Sequence, residues 1–453
     1  MFKRLYLTTF LIVIGFAALA QTYHIKGTIP GLANSEVYLV RAFAASNQIV
    51  DTAKTDTAGT FVMPLKDNWP VGMYRIITLT GQEFDLICNH ENIAFATSGV
   101  GMNASFHILS SVENLMYYHY LGVKLDNQKK INLLRPVLNS YPHNDPFYEV
   151  LLTQAEKLQN QIHSVATQLI KDNPGTLAAS FIKLDMPQMI NFTLPTYLQN
   201  EAMKANYFNG IDFNDTLLLR ADLFTGKIVG YLALFQSKGM TKPEVEDAFT
   251  PAVDTLMKKT VVNEKLYEFT LNYLLNGFEE FGFHKLLLHM ADNSQMSKFN
   301  DKSPEAKELE SKLYAIRTLA PGHEAPNFSA RLLSGKRIEL KDVKADTTLL
   351  VFWASWCPHC KEALPKLKKY YNPANTSHFQ IIGISVDTDK KSVERAIKEE
   401  GYLWPNIAKL KGWDGPIAKL YGVNATPTFV LLDKNKRVIA TPVTVEDLEK
   451  YLK

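Results

Sequence analysis

Residues 347–371 run Thr347-Thr-Leu-Leu-Val-Phe-Trp-Ala354, then Ser355-Trp356-Cys357-Pro358-His359-Cys360, then Lys361-Glu-Ala-Leu-Pro-Lys-Leu-Lys-Lys-Tyr-Tyr371. The first block is a continuous apolar run, the pattern of a strand buried on both faces. The last continues as a helix. The strand therefore delivers Cys357 to a helix N-terminus, where unpaired N–H groups and the helix dipole stabilise a thiolate. Two intervening residues place Cys360 one turn along, within disulfide geometry of Cys357. A thiolate at the first position attacks a substrate sulfur, and its neighbour resolves the mixed disulfide. The chemistry needs both cysteines at this spacing.

Working outward, Phe379-Gln-Ile-Ile-Gly-Ile-Ser-Val-Asp387 reads as another buried strand and Lys391 to Glu400 as a helix. Thr428 to Asp433 and Arg437 to Thr441 form a hairpin across Lys434-Asn-Lys436, and Val445 to Leu452 is a short terminal helix. Strand, helix, strand, helix, hairpin, helix is an α/β layout around a central mixed sheet.

This region resembles the thioredoxin-fold thiol-disulfide oxidoreductases of the exported, cytochrome-maturation (TlpA-type) branch. The matching residues are Phe352 to Lys361, the lead-in Ala320-Pro-Gly-His-Glu-Ala-Pro-Asn-Phe328, and Ala425-Thr426-Pro427-Thr428. The resemblance implies that Cys357 is the attacking nucleophile and Cys360 the buried resolving thiol. It implies a cis bond before Pro427, which turns the Thr426 backbone toward an incoming peptide, with Trp356 shielding one side of the pair. It also implies cysteine-containing exported proteins as clients and a membrane or periplasmic redox partner. No cofactor is expected beyond the redox-active Cys357–Cys360 disulfide, and no metal.

Two positions depart from the family pattern. Val351 stands where many thioredoxins carry a buried acid, and Ala363 where the cytochrome-maturation branch carries a glutamate. Glu362 is adjacent, but one residue along a helix rotates it by about 100°; it reads as a solvated charge. The Pro358-His359 dipeptide matches strongly oxidising disulfide-forming enzymes, and a histidine beside the thiolate favours the reduced pair and raises the potential. The lead-in is shared with peroxiredoxins, which makes a thiol peroxidase the alternative. That chemistry wants Thr or Ser three residues before the cysteine and a proline upstream, and the chain has Ala354 and Leu350.

The other two-thirds of the chain divides by pattern. Met1-Phe-Lys-Arg, an apolar run from Leu5 to Gly15, and Ala18-Leu-Ala20 read as a signal peptide over 1–20. That places the protein outside the cytoplasm, in the periplasm or cell envelope of a Gram-negative bacterium, with membrane contact only if the segment stays uncleaved. Residues 21–101 alternate short β-branched runs with Gly/Pro turns, the signature of a small antiparallel sandwich or barrel. Cys88, in Phe84-Asp-Leu-Ile-Cys, reads as a buried small hydrophobe. Residues 102–319 are helical, with a stripe at Val150, Leu151, Leu158, Ile162, Val165 and Leu169 and a helical stretch from Glu264 to Met290. Glu280, His284 and His289 read as helix-face residues rather than metal ligands, and Tyr117-Tyr-His-Tyr120 as core. This front portion resembles the N-terminal extensions of such oxidoreductases in Bacteroidetes-type bacteria, and a role in binding an envelope partner is its alternative reading. The expected architecture is thus multidomain: an all-β sandwich or barrel, a helical region, and a thioredoxin fold over 320–453.

Composition narrows the classes. Lys+Arg 49 against Asp+Glu 46 gives a net charge of +3, without the basic excess of a nucleic-acid binder. Three cysteines exclude a disulfide-stapled scaffold.

Overall fold

The alternating pattern of the front region folds into two four-stranded sheets. The strands are β1 (Tyr23–Thr28), β2 (Glu36–Phe43), β3 (Ser46–Lys54), β4 (Thr60–Leu65), β5 (Gly72–Thr78), β6 (Glu83–Cys88), β7 (Ile93–Thr97) and β8 (Phe106–Ser110). One sheet runs β4-β1-β7-β8 and the other β3-β2-β5-β6. Along β1 and β4 every second side chain is buried, and these join Val37, Leu39, Ile76, Leu86 and Phe95 in one core. This is the sandwich of the two expected forms. It is not purely antiparallel: β7 returns to the first sheet after β5 and β6 have crossed to the second, so it lies parallel to β1. β8 pairs with β7, which carries the sheet past residue 101. Cys88 packs into this core at 6% exposure, and burial raises its thiol pKa far above the usual range.

The computed structural model describes residues 23–43, 46–100, 105–301 and 303–452; the signal segment expected at 1–20 lies outside them. The chain separates into two units, Met1–Leu234 and Phe235–Lys453, and the helical region contributes to both.

In the first unit, α1 (Val112–Ser140), α2 (Pro146–Asp172), α3 (Leu177–Asp185), α4 (Thr196–Asn206) and α5 (Leu223–Ala233) follow the sandwich. α2 opens with Asp145 accepting from the Phe147 N–H and Pro146 in the first turn, both natural helix starts. Its buried face runs Leu151, Leu152, Ala155, Leu158, Ile162 and Ala166. Val150 points away and is exposed, because alanines rather than the valine complete the stripe. Tyr117 and Tyr120 are core residues, and the Tyr118 hydroxyl donates to the Asp85 carbonyl at 2.7 Å.

The second unit begins with α6 (Lys242–Thr260), α7 (Glu264–Glu280), α8 (His284–Asp292) and α9 (Pro304–Thr318). The stretch read as one helix from Glu264 to Met290 breaks at Gly282, whose φ of 64° is left-handed and stops α7. His289 Nε2 meets Asp254 at 2.7 Å, and among the described residues Glu280, His284 and His289 form no ligand cluster.

The thioredoxin portion contains β9 (Ser329–Arg331), β10 (Arg337–Glu339), β11 (Thr347–Trp353), α10 (Pro358–Leu367), β12 (Phe379–Ser385), α11 (Lys390–Glu400), β13 (Asn406–Ala408), α12 (Pro416–Leu420), β14 (Thr428–Asp433), β15 (Val438–Ala440) and α13 (Val445–Leu448). Its sheet runs β13-β12-β11-β14-β15. β11, β12 and β13 are parallel, while β14 is antiparallel to β11. β11 is central and buried from Thr348 to Trp353, as its unbroken apolar run requires. The lead-in is tied to the hairpin end by Val438 N–H to the His323 carbonyl and Ala325 N–H to the Lys436 carbonyl, at 2.8 and 2.9 Å. β9 and β10, a short hairpin that follows the lead-in, carry no strong strand pattern in the sequence.

Candidate active site

β11 ends at Trp353, and after four intervening residues the chain enters α10 at Pro358. Cys357 occupies the N-cap position with φ −78° and ψ 120°, and Pro358 takes the first turn, where its missing N–H costs nothing. The loop between strand and helix is held by Asp387, just beyond β12. Its carboxylate, 2% exposed, accepts the Ser355 backbone N–H at 3.0 Å and the Ser355 hydroxyl at 2.5 Å. The Ser385 hydroxyl donates to the same carboxylate at 2.8 Å. A buried carboxylate with this many donors fixes the loop two residues before the nucleophile.

Cys357 and Cys360 are both buried, free thiols. The Cys357 thiol donates to the Thr426 carbonyl at 3.2 Å. The Thr426–Pro427 bond is cis, and both residues are half-buried beside the pair. Pro358 and His359 are exposed on the first turn of α10.

The two thiols differ in acidity. Burial raises the Cys357 pKa, but hydrogen bonds from the Thr426 hydroxyl, the Cys360 backbone N–H and thiol, and the His359 backbone N–H outweigh it and bring the pKa below the ordinary value. Burial pushes Cys360 up to about 12. One thiol is readied as a nucleophile and its neighbour held protonated. The His359 contact named here is a backbone N–H, which any residue except proline supplies.

Trp356 is 56% exposed and meets Trp413 edge to face, ring centroids 6.4 Å apart. A cavity of ≈ 110 Å³ opens beside Cys360, lined by Trp353, Ser355, Lys361, Glu399 and Tyr402. Glu362 is 74% exposed and lies within 3.5 Å of Lys366, a solvated charge as read from the sequence. Asp387, Trp413 and Tyr402 were not singled out by sequence reasoning. Asp387 carried a usable signal, an acid closing an otherwise apolar strand at the carboxyl edge of a parallel sheet.

A dithiol of unequal acidity at the N-terminus of a helix on this fold is the arrangement of a thioredoxin-like thiol-disulfide oxidoreductase. Residues 321–441 match the AhpC/TSA family. The thiol-disulfide oxidoreductase ResA of Bacillus thuringiensis subsp. konkukian (strain 97-27) is 38% identical over 135 residues, 29% of this chain and 76% of the relative. ResA of Bacillus subtilis (strain 168) is 30% identical over 122 residues, 27% of this chain and 66% of the relative. The thioredoxin domain of a thiol-disulfide oxidoreductase from Bacteroides vulgatus aligns with 27% identity and a TM-score of 0.28, covering 30% of this chain and 99% of that one. A thioredoxin-like protein from Bacteroides caccae aligns with 21% identity and a TM-score of 0.41, covering 59% and 96%. The chain belongs to the ResA-like thiol-disulfide oxidoreductases, with an additional N-terminal region, and is an oxidoreductase.

Proposed function

We propose that the protein is an exported oxidoreductase that exchanges disulfides with protein cysteines through the Cys357-Pro358-His359-Cys360 pair. The observation carrying this reading is the acidity difference between two neighbouring thiols, Cys357 lowered and Cys360 raised. The Cys357 thiolate attacks one sulfur of a client disulfide, forming a mixed disulfide and expelling a client thiolate, which takes up a proton. Cys360 then loses its proton and attacks the Cys357 sulfur, expelling the second client thiolate. Two electrons pass to the client, and Cys357 and Cys360 end joined. The reverse sequence oxidises a client dithiol.

Thr426 offers the backbone at which an extended client segment pairs, with Pro427 holding its orientation. Trp356 and Trp413 present apolar surface to that segment. The cavity beside Cys360 gives its proton a way out, with Tyr402 and Glu399 in the walls, in a fold where Val351 and Ala363 replace the usual acids. Apart from the pair itself no cofactor is invoked.

Export rests on the N-terminal segment, and the expected partners are exported proteins with cysteines and an envelope redox protein that resets the pair. Among the described residues no helix is long and apolar enough to cross a membrane. The test is trapping. Cys360→Ser should accumulate client proteins disulfide-linked to Cys357 in the envelope fraction, and Cys357→Ser should trap none. Capture of cytoplasmic proteins alone would contradict the exported role.

A further inference from the structure

Far along the chain from the dithiol, the first unit contains a larger cavity of ≈ 370 Å³, in the size range of small-molecule sites. It lies among α2, the segment after α3, α4 and α5. Three buried side-chain atoms on its wall have no hydrogen-bond partner among the described residues: His163 Nε2, Gln188 Nε2 and Gln199 Oε1. Gln199 is 2% exposed, and its amide nitrogen is already engaged with the Leu194 carbonyl at 2.8 Å, so its oxygen is held in place. Buried polar atoms are almost always satisfied, and three among the residues lining one cavity call for a partner inside it.

The lining also holds a cation. Lys227 Nζ donates to the Met186 carbonyl at 3.2 Å and lies 5.3 Å from the Tyr207 ring centroid. Among the described residues no carboxylate pairs with it. Asp185, whose charge it feels, is bound through both oxygens by Lys124 at 2.6 Å. A largely buried ammonium without an ion partner is costly, and burial already lowers its pKa. An entering anion removes that cost. The rest of the lining is flexible and apolar, including Met189, Met203 and Ile211, and methionine adapts to irregular apolar ligands.

We infer that this cavity is a binding site for a small apolar molecule carrying a free carboxylate and a neighbouring N–H donor, the chemistry of a short peptide's C-terminal end. Lys227 and the Gln188 amide nitrogen receive the carboxylate. Gln199 Oε1 and His163 Nε2 accept from the N–H groups, and the methionines take the side chains.

Calorimetric titration of the full chain with leucyl-leucine and with leucyl-leucinamide tests the site. The two probes share shape, the N-terminal amine and the peptide N–H, and differ at the C-terminus, a charged carboxylate in one and a neutral amide in the other. Leucyl-leucine is expected to bind and the amide to bind ~30-fold or more weakly, the loss that follows when a buried charge is left unpaired. Lys227→Met should abolish the difference between them. Equal binding of both probes, binding of neither at millimolar concentration, or leucyl-leucine binding unchanged in Lys227→Met would each overturn the site. Should Lys227→Met fail to fold, Gln188→Leu on a half-exposed side chain replaces it. That variant must weaken leucyl-leucine several-fold, and unchanged affinity would overturn the assignment equally.

Discussion

The Cys357 thiol donates to the carbonyl of Thr426, 3.2 Å away across 69 residues of sequence. That contact joins the N-terminus of α10 to the residue before Pro427, so the thiol and the backbone proposed to pair with clients share one atom pair. The Thr426 hydroxyl adds a second interaction, one that favours the thiolate. Under the proposed function, acidity and client docking are coupled at this single residue.

The first prediction follows from the sign of the two shifts. The Cys357 pKa is lowered, so its thiolate fraction rises and levels off at lower pH than the ~8.5 midpoint of a free thiol. Cys360, at about 12, stays protonated throughout. Iodoacetamide alkylation of the reduced protein should add a single group, at Cys357, with its rate inflecting below the free-thiol midpoint. Thr426→Val removes the hydroxyl and should move that inflection upward. An inflection at the free-thiol value in the parent protein contradicts the account.

Asp387 acts on the nucleophile through Ser355 and is a positioning residue. Asp387→Asn keeps the volume but replaces an acceptor by a donor opposite the Ser355 N–H or hydroxyl, and a buried mismatch of this kind costs about 1–3 kcal/mol. Lower thermal stability together with a shifted Cys357 titration is expected. A loss of stability with the titration unmoved would reduce Asp387 to a structural role.

Gly383 in β12 lies against the Asn406 side chain: a Cβ built there falls 2.3 Å from Asn406 Oδ1 and 3.1 Å from the indole nitrogens of Trp353 and Trp404. Gly383→Ala should destabilise the domain by about 1–3 kcal/mol through overpacking. Gly383→Ala with Asn406→Ala should recover part of it in thermal melts. Equal melting temperatures for parent and Gly383→Ala would show that the strand yields freely.

His359 divides into two contributions. Its backbone N–H survives His359→Ala, so any effect of that variant belongs to the imidazole. If the imidazole raises the potential, His359→Ala should lower it, with about 30 mV for each 1.4 kcal/mol of lost preference for the reduced pair. Equilibration against glutathione buffers measures this directly. A potential that does not move assigns the whole effect to backbone and hydroxyl donors.

Much of the site is legible in the amino-acid sequence because its signals are local. An apolar run into Cys357, two spacer residues and a helix specify the strand, the turn and the pair without long-range information. The sandwich is legible as alternating short strands, but the parallel pairing of β1 with β7 is not, since it depends on which sheet each strand joins. The break of α7 at Gly282 is a backbone choice that apolar periodicity masks. Asp387 and Tyr402 reach the pair only through tertiary packing, from the far side of β12 and after α11. Lys436 shows the same limit: it reads as part of the hairpin turn, yet it is 6% exposed, with Nζ 3.2 Å from the Thr348 hydroxyl.

The most direct test of the central claim is intact-mass measurement of the full chain, equilibrated across glutathione buffers, quenched in acid and alkylated. With alkylation carried out in denaturant, where every free thiol reacts, one two-electron transition is expected in which two alkyl groups are gained together on Cys357 and Cys360, over a constant third on the free Cys88. Three alkyl groups at every buffer ratio, or one at every ratio, would show that these two sulfurs do not cycle and would contradict the proposed function.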